Sequence, residues 1–415
     1  MSYLYQLTHS RFISLSETVF AGYTRLKRTY TNFTHDQKPQ TRNLKPEIPA
    51  GSRTNQQSGP LVGLRILDLT RLLPGPLGTM LMADMGADVI KIENPESPDY
   101  VRMFPPHLNG ESVHYLMYNR SKQSLSLNYQ TDEGRAEFLE MVKTADVVVE
   151  QFRPGFLDRL GLGYEAARQV NPRIIYVSVT GYGQTGPYAH LAGHDLNYLG
   201  IAGVLSLTGD PTEAPVIPGV QLADIAGGSY GCVMGTLAAL YARERTGEGQ
   251  HVDVSMTDVV MPLLTVAYGL FAGGTNPVRG EMPLSGGQPN YGVYRAKNEE
   301  DDRNRYVVLG TLEPKFWQKF CTLVQKPDWF NFMLPQNPEQ LANYKAQIQC
   351  LFLERTQAEW VDFGTKNDLL ITPVNDLADL QNDPHLIARQ MIRHEQHPVA
   401  GAYTSVGIPL MFSGC

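Results

Sequence analysis

Short runs of aliphatic and β-branched residues set the first constraint on this chain. LRILDLT (residues 64–70), ADVIKIE (87–93), ADVVVEQF (145–152) and RIIYVSVT (173–180) each read as a strand. Between the first two lies LGTMLMADMGA, which reads as a helix ending at Gly86 after a break at Pro74, Gly75 and Pro76. A strand–helix–strand order of this kind implies a parallel sheet. QSLSLNY (123–129) and QHVDVSM (250–256) alternate as further strands, and DEGRAEFLEMVKTA reads as a helix with Asp132 near its start. The expected fold class is α/β.

The chain has 415 residues, 42% of them hydrophobic, enough for a large core and for two or more domains. Its net charge of −7, with no recurring basic block, gives no support for nucleic acid as a partner. Cys232, Cys321, Cys350 and Cys415 form no C-x-x-C pair, so a metal or redox motif has no support either. Low cysteine use fits a reducing compartment. No apolar run reaches the roughly 18 to 20 residues that span a membrane. Residues 1–58 are rich in Ser, Thr, Asn and Gln, with more basic than acidic side chains. They read as a disordered or targeting extension: the expected location is cytoplasmic, or mitochondrial if the extension is a transit peptide. The expected domains are this extension, a large α/β domain over 59–250, a linker and small domain over 251–375, and a return toward the large domain over 376–415.

GYGQTG (181–186) matches the G-x-G-x-x-G dinucleotide fingerprint, but Pro187 follows and no helix pattern opens. A glycine-permitted turn is the better reading. TDVVMPLLTVAYGLFA (257–272) is apolar on nearly all sides and reads as a buried helix. FAGGTNPVRGEMPLSGGQPNYG is a Gly/Pro-rich loop, YGVYRAK and YVVLGTL form a hairpin with the charged tip NEEDDRNR, and EPKFWQKFCTLV is helical.

The stretch from Leu191 to Gln250 carries the candidate chemistry. It places His194 upstream of Asp224, and Asp224 where a loop becomes a helix closed by Thr246-Gly247. Asp224 can cap free backbone N–H groups, or it can act as an acid or base facing a cleft, where helix-start amides would also suit an oxyanion.

GHDLNYL followed by QLADIAGG resembles the family that contains the class III CoA-transferases (CaiB/BaiF type) and α-methylacyl-CoA racemase. So do NRSKQSLSLN, EQFRPGFLDRLGLGYE, IIYVSVTGYGQTGP, RTGEGQHVDVSM and ITPVNDLADLQNDPH; the resemblance runs from about Leu61 to about Leu410. It implies a Rossmann-like large domain plus a smaller α+β domain, in an interlocked homodimer. The chain ends soon after IPLMFSGC, where members continue, which puts the closing of that ring in question. In the racemase branch the resemblance makes His194 and Asp224 two bases on opposite faces of the α-carbon, with Glu313 of GTLEP contacting the histidine. In the transferase branch the same aspartate is a nucleophile that forms a mixed anhydride and then an aspartyl-CoA thioester. Transferases often have an aromatic residue where this chain has His194, so the racemase reading stands first. The alternative is a class III CoA-transferase; a weaker one is a CoA-ester-binding protein without turnover. No cofactor is implied beyond CoA as part of the substrate. By motif position the phosphate-binding candidates are Lys91, Arg120, Lys122, Arg153 and Arg159.

Overall fold

The computed structural model describes residues 58–298 and 304–414. The expected N-terminal extension, up to residue 57, and part of the charged hairpin tip lie outside the described residues.

Six strands form the main sheet: β1 (Arg65–Asp68), β2 (Asp88–Glu93), β3 (Gln123–Ser126), β4 (Val147–Glu150), β5 (Ile175–Thr180) and β6 (Gln250–Ser255). Their spatial order is β3-β2-β1-β4-β5-β6. Every pairing is parallel; Ile66, for example, sits between Val89 and Val147. β4 and β5 are buried along their whole length, as a parallel sheet covered on both faces requires. One face packs Ile66, Val147 and Val177 into a core, and the opposite face packs Leu67, Val148 and Tyr176 into another. The order reverses between β1 and β4, the switch point beyond which ligands of such sheets bind.

Helices α1 (Pro74–Asp84), α2 (Val113–Asn119), α3 (Asp132–Val142), α4 (Asp195–Ile201) and α5 (Gly231–Thr246) belong to this part of the chain. β1 ends ahead of Pro74 as expected, but α1 opens at Pro74 rather than at Leu77, because a proline in the first turn surrenders an N–H that no helix would use. α3 starts behind Thr131, whose hydroxyl accepts the Gly134 N–H.

A second core gathers around β7 (Tyr291–Arg295), β8 (Tyr306–Gly310) and β9 (Ile371–Pro373), an antiparallel sheet in the order β9-β8-β7. Trp317, Phe320, Phe352 and Trp360 are fully buried there. A hairpin, β10 (Ile392–His397) and β11 (Gly401–Val406), follows, and the Asn109 side chain donates to Ala400 O at its turn at 3.1 Å.

The segment expected to be one buried helix departs from that expectation. It is α6 (Met256–Val260), a 3₁₀ turn (Met261–Leu264) and α7 (Thr265–Ala272), and α7 is uncovered: Tyr268 is 58% and Phe271 59% exposed. Ala267 alone of the α7 residues is buried.

The loops beyond β1, β2 and β3 are tied by buried charge. Asp68 is fully buried and accepts from the Thr70 N–H at 2.9 Å, Thr79 Oγ1 at 2.7 Å and Lys122 Nζ at 3.0 Å. Lys122 also donates to Pro76 O and Asn119 Oδ1, each at 2.8 Å. Lys91 Nζ donates to Thr70 O at 2.9 Å and to Asp99 at 3.3 Å. Burial alone would raise the Asp68 carboxyl; Lys122, Lys91 and two threonine hydroxyls hold it well below the usual carboxylate range. Burial pulls Lys122 down to about 8, with Asp68 opposing it. Removing one partner strands a buried charge, which costs about 3–5 kcal/mol. Lys122→Met is therefore expected to lower the melting temperature sharply, and the double change Asp68→Leu with Lys122→Met to recover much of the loss in the same thermal melts.

Candidate active site

The site begins where β5 ends. GYGQTG forms a turn: Gly183 has φ +84°, its N–H bonds Thr180 Oγ1 at 3.0 Å, and the Gln184 N–H bonds Asp253 Oδ2 at 2.8 Å. No helix opens on this motif. Its glycines serve close approach instead. A Cβ on Gly181 would lie 2.2 Å from the ring of Tyr198, and one on Gly193 would lie 2.6 Å from it. Tyr198 is thereby seated, with Tyr182 edge-on against it at 5.1 Å.

His194 stands at the N-cap of α4, exposed, its backbone N–H held by Asn197 Oδ1 at 3.0 Å. Asp195, the next residue, does what Asp224 was expected to do if it were structural. Its Oδ1 accepts the N–H of Ala223 at 2.7 Å and of Asp224 at 3.0 Å, and so caps the start of the next helix from a distant segment. Asp224 forms no side-chain cap, which leaves its carboxylate uncommitted to the helix.

That helix, Ala223–Tyr230, is π-helical and runs straight into α5. Wide turns of this type recur at functional sites. It is wedged in place: a Cβ on Gly228 would meet Pro74 at 2.4 Å, and Ser229 Oγ donates to Pro74 O at 2.7 Å. At the far end Gly247, with φ +78°, caps α5 as expected.

Half-buried Asp224 is pushed up to about 6, first by burial and then by the Asp195 carboxylate. Tyr198 is raised to about 12 and Tyr118 is raised as well, in both cases by burial first and then by the charge of Asp224. The phenols of α2 and α4 therefore feel the charge of this carboxylate. A carboxylate so placed is poorly hydrated and ionises near neutrality, which suits it to act as nucleophile or base. Tyr118 and the capping role of Asp195 were not legible in the sequence; the adjacency of Tyr118 to the NRSK motif was the only signal.

Glu313 occupies the N-cap position of α8 (Pro314–Leu323) in the second core and is exposed. Among the described residues it makes no hydrogen bond to His194. Three of the five expected phosphate partners are corrected by their burial. Lys91 pairs with Asp99, Arg120 with Asp84 at 2.7 Å, and Lys122 with Asp68, all with side chains at most 5% exposed. Each already neutralises a buried carboxylate. Arg153 lies exposed on the turn after β4, where the Phe156 N–H bonds its carbonyl at 3.0 Å, and Arg159 lies exposed at the end of the short helix Phe156–Arg159 that follows. Neither has a carboxylate partner among the described residues, and no cluster of metal-ligating side chains is found there.

A doubly wound sheet with a half-buried, near-neutral carboxylate at the head of a π-helical turn defines an enzyme of carboxylate chemistry. The chain belongs to CoA-transferase family III, whose sequence model matches residues 61–415, and it is an enzyme of the class III CoA-transferase type. It is 35% identical over 362 residues to an acetyl-CoA:oxalate CoA-transferase of Acetobacter aceti, covering 86% of this chain and 90% of the relative. It is 32% identical over 364 residues to a succinyl-CoA:glutarate CoA-transferase of Mus musculus, covering 85% and 81%. A crystal structure of a CaiB/BaiF family protein from Brucella suis superposes with a TM-score of 0.72 at 34% identity, covering 86% of this chain and 94% of that one.

Asp195→Asn tests the electrostatics. The amide oxygen still accepts both N–H groups, but the neighbouring charge is gone. If ionised Asp224 is the reactive form, kcat/KM of the wild type rises with pH through about 6. In Asp195→Asn this acid limb is expected to move to lower pH; a limb that stays in place would remove Asp195 as a source of the shift.

Proposed function

We propose that this chain transfers CoA from an acyl-CoA to a carboxylic acid, with Asp224 as the nucleophile. The observation that carries the reading is the carboxylate of Asp224, which makes no cap bond to its helix and is raised toward neutrality by burial. The named relatives support it, since each is called a CoA-transferase. They reverse the order reached from the sequence, where His194 placed epimerisation first. The relatives' names mention oxalate and glutarate, which favours a short dicarboxylic acid as acceptor.

The steps balance without a redox partner. A carboxylate oxygen of Asp224 attacks the thioester carbonyl, the C–S bond breaks, and CoA leaves as the thiolate. The thiolate attacks the Asp224 carbonyl of the mixed anhydride, releasing the donor acid and leaving aspartyl-CoA. The acceptor carboxylate attacks that thioester and frees CoA again. CoA then takes the new acyl group and restores the Asp224 carboxylate. Splitting the exchange this way replaces one hard displacement by several easier ones. The phenol of Tyr118 offers an O–H donor for the oxyanions that form, whereas the Tyr198 O–H is already donated to the Gly193 carbonyl.

Incubation with an acyl-CoA followed by borohydride is expected to trap a modified Asp224 peptide, seen by mass spectrometry, and Asp224→Asn is expected to abolish both trapping and turnover with unchanged melting. Deuterium wash-in at the α-carbon in D₂O, without any trapped adduct, would return the assignment to epimerisation.

We further propose that the uncovered face of α7 is buried against a second copy of the chain. Tyr268 and Phe271, whose rings lie 6.0 Å apart, expose an apolar surface of the kind that marks an interface. A second copy could also bring Glu313 toward the histidine that it does not bond within one chain. Phe271→Glu is expected to yield monomers by light scattering; a variant that keeps the mass of a dimer would place the interface elsewhere.

A further inference from the structure

The face of the main sheet turned away from the Asp224 helix carries polar groups that the proposed chemistry does not use. Side chains alternate across a strand, so Val147, Val177 and Val254 share a core with Ala223 and Cys232, while Val148 and Tyr176 lie in the core on the other side. Glu150 of β4, Ser178 of β5, and His251 and Asp253 of β6 stand on that other side. Glu150 is opposite Ser178 in the register, and Ser178 is opposite Asp253. Glu150 is 6% and Ser178 2% exposed, whereas His251 is exposed on the outermost strand.

Ser178 joins the two ends of this line. Its Oγ lies 2.9 Å from His251 Nε2 and is hydrogen-bonded to the Glu150 carboxyl. Glu150 Oε2 also accepts the Phe152 N–H at 2.7 Å. The imidazole stacks on Tyr164, of the helix Tyr164–Val170, at 5.3 Å, and Tyr176 stands edge-on to it at 5.8 Å. Two aromatic rings thus fix its orientation. The neighbouring charged groups are acidic: Asp158 and Asp253 face Glu150, and Asp253, Asp158 and Glu165 face His251.

A serine hydroxyl has one proton to give. Between two partners it donates to one and accepts from the other, so the line has two settings. With Glu150 protonated, the acid donates to Ser178, Ser178 donates to His251 Nε2, and no charge is buried. With Glu150 ionised, Ser178 donates to the carboxylate and His251 must donate from Nε2. Passing from the first setting to the second, Nδ1 gives its proton to water, Ser178 hands its own to Nε2, and Glu150 hands its own to Ser178. One proton leaves, and every group stays hydrogen-bonded. Burial raises Glu150 to about 7, against the Ser178 hydroxyl and the Phe152 N–H, so the settings interchange near neutrality. The buried edge of the ring lowers His251, against its three acidic neighbours.

We infer that Glu150, Ser178 and His251 form a proton-linked latch on β6, fastened when Glu150 is protonated and loosened when it is ionised. An unpaired charge under the sheet costs free energy that the neutral setting avoids. β6 pairs with β5 alone, and it closes the connection that carries His194 and Asp224. Asp253, beside Ser178, holds the Gln184 N–H of the turn that seats Tyr198. The sign follows from the raised carboxyl: the folded chain holds a proton that the unfolded chain has lost. The latch therefore weakens as pH rises from about 4.5 to about 7, and no further above that.

Two readouts on the full chain test this, and neither involves CoA or turnover. In nitrogen-15 spectra the His251 ring is expected to carry its proton on Nδ1 on the acid side of 7 and on Nε2 on the alkaline side. In Glu150→Gln the amide N–H donates to Ser178 as the protonated acid does, so Nδ1 is expected to keep the proton throughout. Exchange protection of the β6 amides that pair with β5, referred to the intrinsic rate at each pH, is expected to fall on the alkaline side in the wild type and to hold in Glu150→Gln. A wild-type ring with the same tautomer on both sides of 7 overturns the relay. Protection that shows no such fall in the wild type, or falls equally in Glu150→Gln, overturns the latch. If Glu150→Gln does not fold, His251→Phe takes its place. It keeps a ring on Tyr164 but leaves Ser178 free to donate to ionised Glu150, so the fall in protection is expected to shrink; an unchanged fall overturns the latch as well.

Discussion

The Asp68–Lys122 pair, with Lys91 and Asp99 beside it, is the interaction on which the mouth of this protein depends. A parallel sheet sends every one of its strands out at the same end, so the loops that form a site there have no ladder to hold them. Here they are held by charge removed from water. Lys122 reaches from the segment after α2 to β1 and the start of α1, and Lys91 reaches from β2 to the carbonyl of Thr70. Such pairs are weak contributors to net stability compared with well-packed apolar side chains, because desolvation offsets most of the attraction. What they supply is position. An apolar replacement could fill the same volume, but it could not hold the amide of Leu72 or the carbonyls of Thr70 and Pro76.

Much of the fold was legible because periodicity survives without context. The six parallel strands fall where the apolar runs and alternations place them, and the end of α5 follows from Gly247. Where the sequence misled, tertiary demands had overridden a local rule. Pro74 reads only as the end of a strand, yet it also opens α1, since a first-turn proline loses nothing. The α6–α7 segment reads as buried because it is apolar, but hydrophobicity states only that a face needs covering, not that its own chain provides the cover. Lys91, Arg120 and Lys122 sit in motifs that read as basic. Charge in a sequence does not reveal whether a carboxylate from 8, 36 or 54 residues away has already claimed it.

The carboxylate site shows the same limit from the other side. Asp224 was legible as a candidate, but the helix start on which it stands is capped by Asp195, 29 residues earlier, which holds the amides of Ala223 and Asp224. One aspartate anchors the helix start, and the charge that does so also raises the pKa of its neighbour. Structure and reactivity are divided between two residues of the same type, a division that no spacing rule encodes. The glycines of GYGQTG complete the arrangement by letting Tyr198 approach closely.

The order of the strands also sets when during synthesis the site can exist. His194, Asp195 and Asp224 all lie in the single connection between β5 and β6, and β6 is the last strand to join the sheet. Until Gln250–Ser255 has left the ribosome and paired with Ile175–Thr180, that connection of some seventy residues is closed at one end only. Loop closure of this length must be accomplished before its contacts can form, which makes such pairings slow. A nascent chain halted before residue 250 would lack the strand that closes the connection carrying Asp224, so the candidate site forms only after the scaffold that holds it.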